Sequence, residues 1–282
     1  MPYQRTMGGD NPGLFVFVLD QSGSMGDPWP KGPQQRKADA LADVINNTLA
    51  EICDRCVRGE GQVSDRCHMA IVGYEGSSFH NAWGATLNGK DVVLVSEVSA
   101  NPEEVRTMRV QVPDGRGGLV ETDEQVPVWV RPRVGGGTPM KMALGRAQTL
   151  VNDWVSQHPA AFPPVVVHVT DGESTDGDPS AEAASIRNIQ TSDGNVLLVN
   201  IHIPSTAPNS VSFPAGVGDL PGGDQYARML FEMSSEIPGE LLPLAQKAGL
   251  NARQGSKLMI LNADATDVIR LIQFATVGTL NR

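Results

Sequence analysis

The chain has 282 residues, with 22 lysines and arginines against 32 aspartates and glutamates, a net charge of −10, 40% hydrophobic residues and three cysteines. This length supplies a full core without staples, and an odd cysteine count cannot make a fully paired disulfide framework, so a reducing, cytoplasmic setting is the expectation. A pI near 4.9 without clustered lysines or arginines lacks the footprint of a nucleic-acid binder, and no apolar run approaches the ~20 residues that cross a bilayer, so neither nucleic acid nor membrane is expected as a partner.

In chain order, the start Met1-Pro2-Tyr3-Gln4-Arg5 lacks the apolar core of a signal peptide. A continuous apolar run at 14–19 reads as a first strand, and residues 36–57 carry Leu41, Val44, Ile45, Leu49, Ile52 and Cys56 at helical spacing. A second strand is expected at 69–74. Residues 76–134 alternate roughly around Asp114-Gly115-Arg116-Gly117-Gly118, which predicts a β-hairpin insertion. A second long helix follows over 139–156, with Thr138 as its cap and Pro139 at its first position. Strands at 165–169, 196–203 and 258–261 alternate with helices announced by Asp178-Pro179-Ser180 and by Asp264. Residues 204–225, dense in Pro, Gly, Ser and Asn, read as a long loop. Uninterrupted apolar strands are what a sheet covered on both faces requires. The expectation is therefore one α/β domain over 1–282, a doubly wound, mainly parallel sheet flanked by helices, with its ligand site at the carboxyl ends of the strands.

The polar residues at those ends have one chemistry. Asp20-Gln21-Ser22-Gly23-Ser24 follows the first strand, Thr170-Asp171-Gly172-Glu173-Ser174 ends the third, and Gly135-Gly136-Gly137-Thr138-Pro139 leads into the second long helix. Asp20, Ser22, Ser24, Thr138 and Asp171 thus offer carboxylate and hydroxyl oxygens only, a set that selects hard divalent cations. With two carboxylates against three neutral hydroxyls, such a cation remains electrophilic toward a further anionic oxygen. The positive end of the helix after Pro139 would favour the same anion.

This order of elements resembles the metal-ion-dependent adhesion site of von Willebrand factor type A (VWA) domains, over about residues 12–277. The resemblance implies a Rossmann-like VWA fold and a magnesium or manganese ion ligated by the hydroxyls of Ser22, Ser24 and Thr138. Asp20 and Asp171 would ligate it directly or through water, and an Asp or Glu of a protein partner would fill the open position. The implied function is a non-enzymatic, metal-dependent adaptor. Residues 171–178 and 274–279 further resemble intracellular bacterial VWA proteins of the tellurium-resistance and stress-response type, which work beside a protein kinase and a phosphatase; adaptors of AAA+ ATPases are another intracellular role.

Competing readings attach to particular residues. An Asp after the first strand can serve as a phosphatase nucleophile, but haloacid-dehalogenase-like enzymes resemble D-x-D there, whereas position 22 is Ser. Neither a Gly-x4-Gly-Lys-Ser/Thr loop nor a G-x-S-x-G elbow is present. Cys53, Cys56, Cys67 and His68 have the residue types of a zinc site, yet the first two lie within a helix and the last two are strand neighbours, which point to opposite faces. Core packing is the favoured role for the cysteines. His80 and Trp83 are placed in a loop near the metal rim, as partner contacts or as packing. Glu173, Asp176 and Asp178 are read as solvated or capping residues rather than a second metal site.

Overall fold

The structure is a computed structural model that describes residues 2–30, 34–113, 118–206 and 209–280. Its centre is an eight-stranded mixed sheet. In chain order these strands are β1 (Gly13–Asp20), β2 (Cys67–Glu75), β3 (Ser78–Asn81) and β4 (Val93–Leu94), then β7 (Val165–Thr170), β8 (Leu197–His202), β9 (Val211–Ser212) and β10 (Met259–Leu261); β5 (Glu104–Pro113) and β6 (Leu119–Val128) form a separate ribbon. The sheet order is β9-β10-β8-β7-β1-β2-β3, with β4 also on β2. The pairs β1–β2, β1–β7, β7–β8 and β8–β10 are parallel, and the short edge strands run antiparallel. This is the expected α/β architecture.

Every residue of β1 and β7 is buried, as continuous apolar runs require. The period of two divides them between two cores. Phe15, Phe17, Leu19, Val165, Val167 and Val169 face α1 (Lys37–Cys56) and, later in the chain, α7 (Ala265–Gln273). Leu14, Val16, Val18 and Val166 face α3 (Met140–Gln157), α4 (Ser180–Asn188) and α5 (Gln225–Met233). Two short helices, α2 (Val95–Ala100) and α6 (Leu242–Lys247), complete the set of α-helices among the described residues.

The insertion at 76–134 is more than a hairpin. It contributes β3 and β4 to the sheet edge and α2 to its flank before the β5–β6 ribbon departs; the expected turn at 114–117 lies outside the described residues. The ribbon's return is fixed by one buried side chain. Asn46 of α1 accepts from the amides of Trp129 (2.8 Å) and Val130 (3.0 Å) and donates to the Val130 carbonyl (2.9 Å). That anchor returns the chain to the sheet ahead of Gly135. Residues 204–225 are likewise not a plain loop, since β9 pairs with β10. A run too short and too polar to announce a strand is held by the ladder it completes.

Candidate metal centre

Parallel strands end together, so β1 and β7 deliver Asp20 and Asp171 to one rim. Asp20 is 1% exposed and both its oxygens are engaged: Oδ1 accepts from the Ser22 amide and Oδ2 from Thr170 Oγ1, each at 2.8 Å. Ser24 Oγ donates to Asp171 Oδ1 at 2.7 Å and lies 3.3 Å from Ser22 Oγ. Burial, first, and the neighbouring Asp171 charge push the Asp20 carboxyl up to about 6, against the lowering effect of its hydrogen bonds from Ser22 and Thr170. Two buried carboxylates with hydroxyls beside them form an oxygen-only donor set, the chemistry that a magnesium- or manganese-like ion takes.

The third loop is laced to the other two through backbone. Gly135 N donates to Gln21 O (2.9 Å) and Gly23 N to Gly136 O (3.0 Å), while Thr175 Oγ1 accepts from Thr138 N (2.9 Å) and Thr175 N donates to Thr138 O (2.9 Å). Thr138 is buried at this junction. Its placement depends on Gly136, whose φ is +57° and whose added Cβ would sit 2.5 Å from Gly76 Cα. Gly136→Ala is therefore expected to cost about 1–2 kcal/mol and to displace Thr138; urea unfolding with and without magnesium measures both effects.

Three expectations change at this rim. Thr138 does not cap α3, because Pro139 holds the cap position and the helix begins at Met140. The role falls to Asp176, which accepts from the amides of Lys141 (3.0 Å) and Met142 (2.9 Å) across the loop. The positive end of α3 is therefore engaged by the chain's own carboxylate rather than left for an incoming anion. Nor does Asp178 hold the cap position of α4: that falls to Pro179, and Asp178 accepts from Ser180 N at 2.9 Å in a local turn just ahead of the helix.

One residue at the centre escaped the sequence reading. Lys37 begins α1, is fully buried, and places Nζ 2.8 Å from Asp171 Oδ2 and 3.0 Å from Ser205 Oγ. A signal existed: Lys37 stands four residues before Leu41, in register with the buried Ile45 and Leu49. Beneath the rim runs a buried polar chain in which Tyr74 OH meets His168 Nε2 (2.9 Å), His168 Nδ1 meets Asn200 Oδ1 (2.9 Å), and Asn200 Nδ2 donates to Ser234 Oγ (3.0 Å). Tyr226 OH donates to the Gly172 carbonyl at 2.6 Å, steadying the Asp171 loop. A groove of about 850 Å³ adjoins the rim, lined among others by Glu173, Leu220, Asp224, Tyr226 and Arg228.

The zinc-type residues do not form one cluster: Cys56 and Cys67 are hydrogen-bonded to each other, but His68 lies apart from them. Cys53, Cys56 and Cys67 are free and buried, whereas His68, on the other face of β2, accepts from Trp154 Nε1 at 2.8 Å. Among the described residues no group of three or more His, Cys, Asp or Glu side chains could hold a metal. His80 and Gln21 both pack against Gly73, where a Cβ would strike both, while Trp83 is buried in the same core as α1. No described helix is long and apolar enough to cross a membrane.

No protein-family model matches the chain, and no curated protein matches it. Among solved structures it is similar to the pilus adhesin SpaC from Lactobacillus rhamnosus GG, at 14% identity and a TM-score of 0.48 over 96% of this chain and 31% of that one. It is also similar to the ArnB paralog VWA2 from Sulfolobus acidocaldarius, at 13% identity and a TM-score of 0.34 over 70% of this chain and 36% of that one. The chain spans about a third of the length of either protein, and at these values neither likeness carries an argument; the α/β fold rests on the strand order and pairing above.

Proposed function

We propose that this chain is a VWA-like, divalent-metal-dependent protein-binding module without a catalytic step. A magnesium or manganese ion would be held by Asp20, Ser22, Ser24, Thr138 and Asp171. The observation that carries the reading is the meeting of Ser24 Oγ with Asp171 Oδ1 at 2.7 Å across 147 residues of sequence, beside a second buried carboxylate. The chemistry such a cation supplies is an electrophilic position for one further carboxylate oxygen, taken from an Asp or Glu of a protein partner.

The chain's own residues prepare that position. Thr170 and the Ser22 amide fix the Asp20 carboxylate, Tyr226 holds the Asp171 loop, and the groove beside the rim gives room for the partner's flanking residues. Position 22 is Ser rather than the second acid of a D-x-D pair, which favours binding over a phosphatase-like hydrolysis. In keeping with the resemblance to intracellular bacterial VWA proteins, the proposed partners are proteins of a stress-response or phosphorylation-linked system, such as a kinase or phosphatase, or an AAA+ ATPase.

Thermal unfolding tests the metal directly. At cation concentrations about a hundredfold above Kd, the folded wild type gains about 2.7 kcal/mol by mass action, and Ser22→Ala with Ser24→Ala loses most of that gain. Retention on an immobilised glutamate-containing peptide should follow the same metal dependence and vanish with chelator. A wild type whose unfolding ignores both cations would overturn the reading.

A further inference from the structure

Lys37 is the buried charge at the rim that the metal reading leaves without a task. An ammonium at the first position of a helix stands at the positive end of the helix dipole, where a cation is disfavoured, and full burial adds a desolvation cost. A buried ion pair also gives little stability over an apolar pair of similar volume, so stability alone does not account for a lysine here. What the lysine does is visible in its contacts. Nζ holds Asp171 Oδ2 while Ser24 Oγ holds Oδ1, so the carboxylate is fixed through both oxygens.

We propose that Lys37 is the resident counter-cation of this centre: it keeps Asp171 in place when no metal is bound and weakens the hold on the divalent ion, so that metal exchanges rather than remaining locked in. The inference rests on the metal-binding reading above. With Asp20, Asp171 and Lys37 ionised, the rim carries one net negative charge instead of two. A divalent cation entering beside Asp171 also meets an ammonium in a poorly screened setting, where like charges a few ångströms apart repel strongly. Lys37 is thus a positioning residue that acts through Asp171, with opposite effects on the metal-free and metal-bound states.

Lys37→Gln removes the charge and keeps a polar amide, one bond shorter than the lysine, at the same helix position. Calorimetric titration with magnesium and with manganese, paired with thermal unfolding in chelator, gives the two readouts. The variant is expected to bind either cation at least about tenfold more tightly than wild type while melting at a lower temperature without metal. A lysine with only a structural role would weaken both. Wild type that binds metal beside a folded variant that binds equally or less tightly overturns the proposal and leaves the metal reading standing. A variant that folds only when millimolar magnesium or manganese is supplied supports it, since the metal then takes over the lysine's charge; one that stays unfolded in both overturns it. If neither folded protein binds either cation, the metal reading itself falls, and this inference with it.

Discussion

Asp20→Asn is expected to stabilise the metal-free protein at pH 7 by up to about 3 kcal/mol while abolishing its response to magnesium. Burial and the Asp171 charge raise the Asp20 carboxyl from 3.8 to about 6, and each pKa unit is worth about 1.4 kcal/mol. The raised value sets the sign. Between pH 3.8 and 6 the folded protein holds a proton that the unfolded chain has released, so metal-free stability falls as pH rises through this window and stays low above it. Asparagine removes the charge but keeps an acceptor for the Ser22 amide, and the Thr170 hydroxyl can turn to accept from its amide nitrogen. Urea unfolding in chelator across pH 4 to 8 decides the matter. A gap between wild type and variant that fails to widen between pH 4 and 6 would show that Asp20 carries no buried charge penalty.

His168→Leu is expected to destabilise the protein by about 2–6 kcal/mol at pH 7, because it leaves the Tyr74 hydroxyl and the Asn200 amide oxygen without their partner in a fully buried site, at about 1–3 kcal/mol each. The network also fixes the tautomer. Asn200 donates its amide to Ser234, so its oxygen faces His168; Nδ1 therefore donates and Nε2 accepts from Tyr74. Burial lowers His168 from 6.5 to about 4, so the unfolded chain gains a proton that the folded chain refuses. This contribution is present above pH 6.5 and lost as pH falls toward 4, about 3 kcal/mol in all. His202, also lowered to about 4 by burial, adds acid lability of the same sign. Chemical unfolding of His168→Leu should show a shallower acid loss than wild type from a lower starting stability; unchanged stability at pH 7 would remove the network from the account of the core.

How much of this was legible in sequence depends on where the determining interaction lies. The central strands β1, β2 and β7 and the helices α1 and α3 were readable to within two residues, because each carries its own signal: a run apolar on every residue, or an apolar stripe at helical spacing. Asp264 announced α7 by capping it, and Asp178 announced α4 through a local turn one residue ahead of the cap. The edge strands β3 and β9 carry no such signal, since a strand of two to four residues is specified by the ladder beside it, whereas β4 falls within the apolar run Val92 to Val95. Helix α5 was overlooked because the Pro- and Gly-rich run before it masked a start capped by Asp224.

The same division runs through the candidate centre. Sequence by itself determined the oxygen-bearing residue types of the proposed donors, Asp20, Ser22, Ser24, Thr138 and Asp171, and placed Asp20 and Asp171 at strand ends, because residue chemistry and strand polarity are local properties. It also determined that the cysteines would serve the core. Only the tertiary structure decided that Ser24 meets Asp171, that Asp176 rather than Thr138 engages the start of α3, and that Lys37 of the first helix sits on Asp171. Those contacts join residues 35 to 147 positions apart, and a charge buried against a distant opposite charge has no period or motif of its own. Its energy depends on how far the packed fold excludes water around the pair, and no stretch of chain carries that quantity alone.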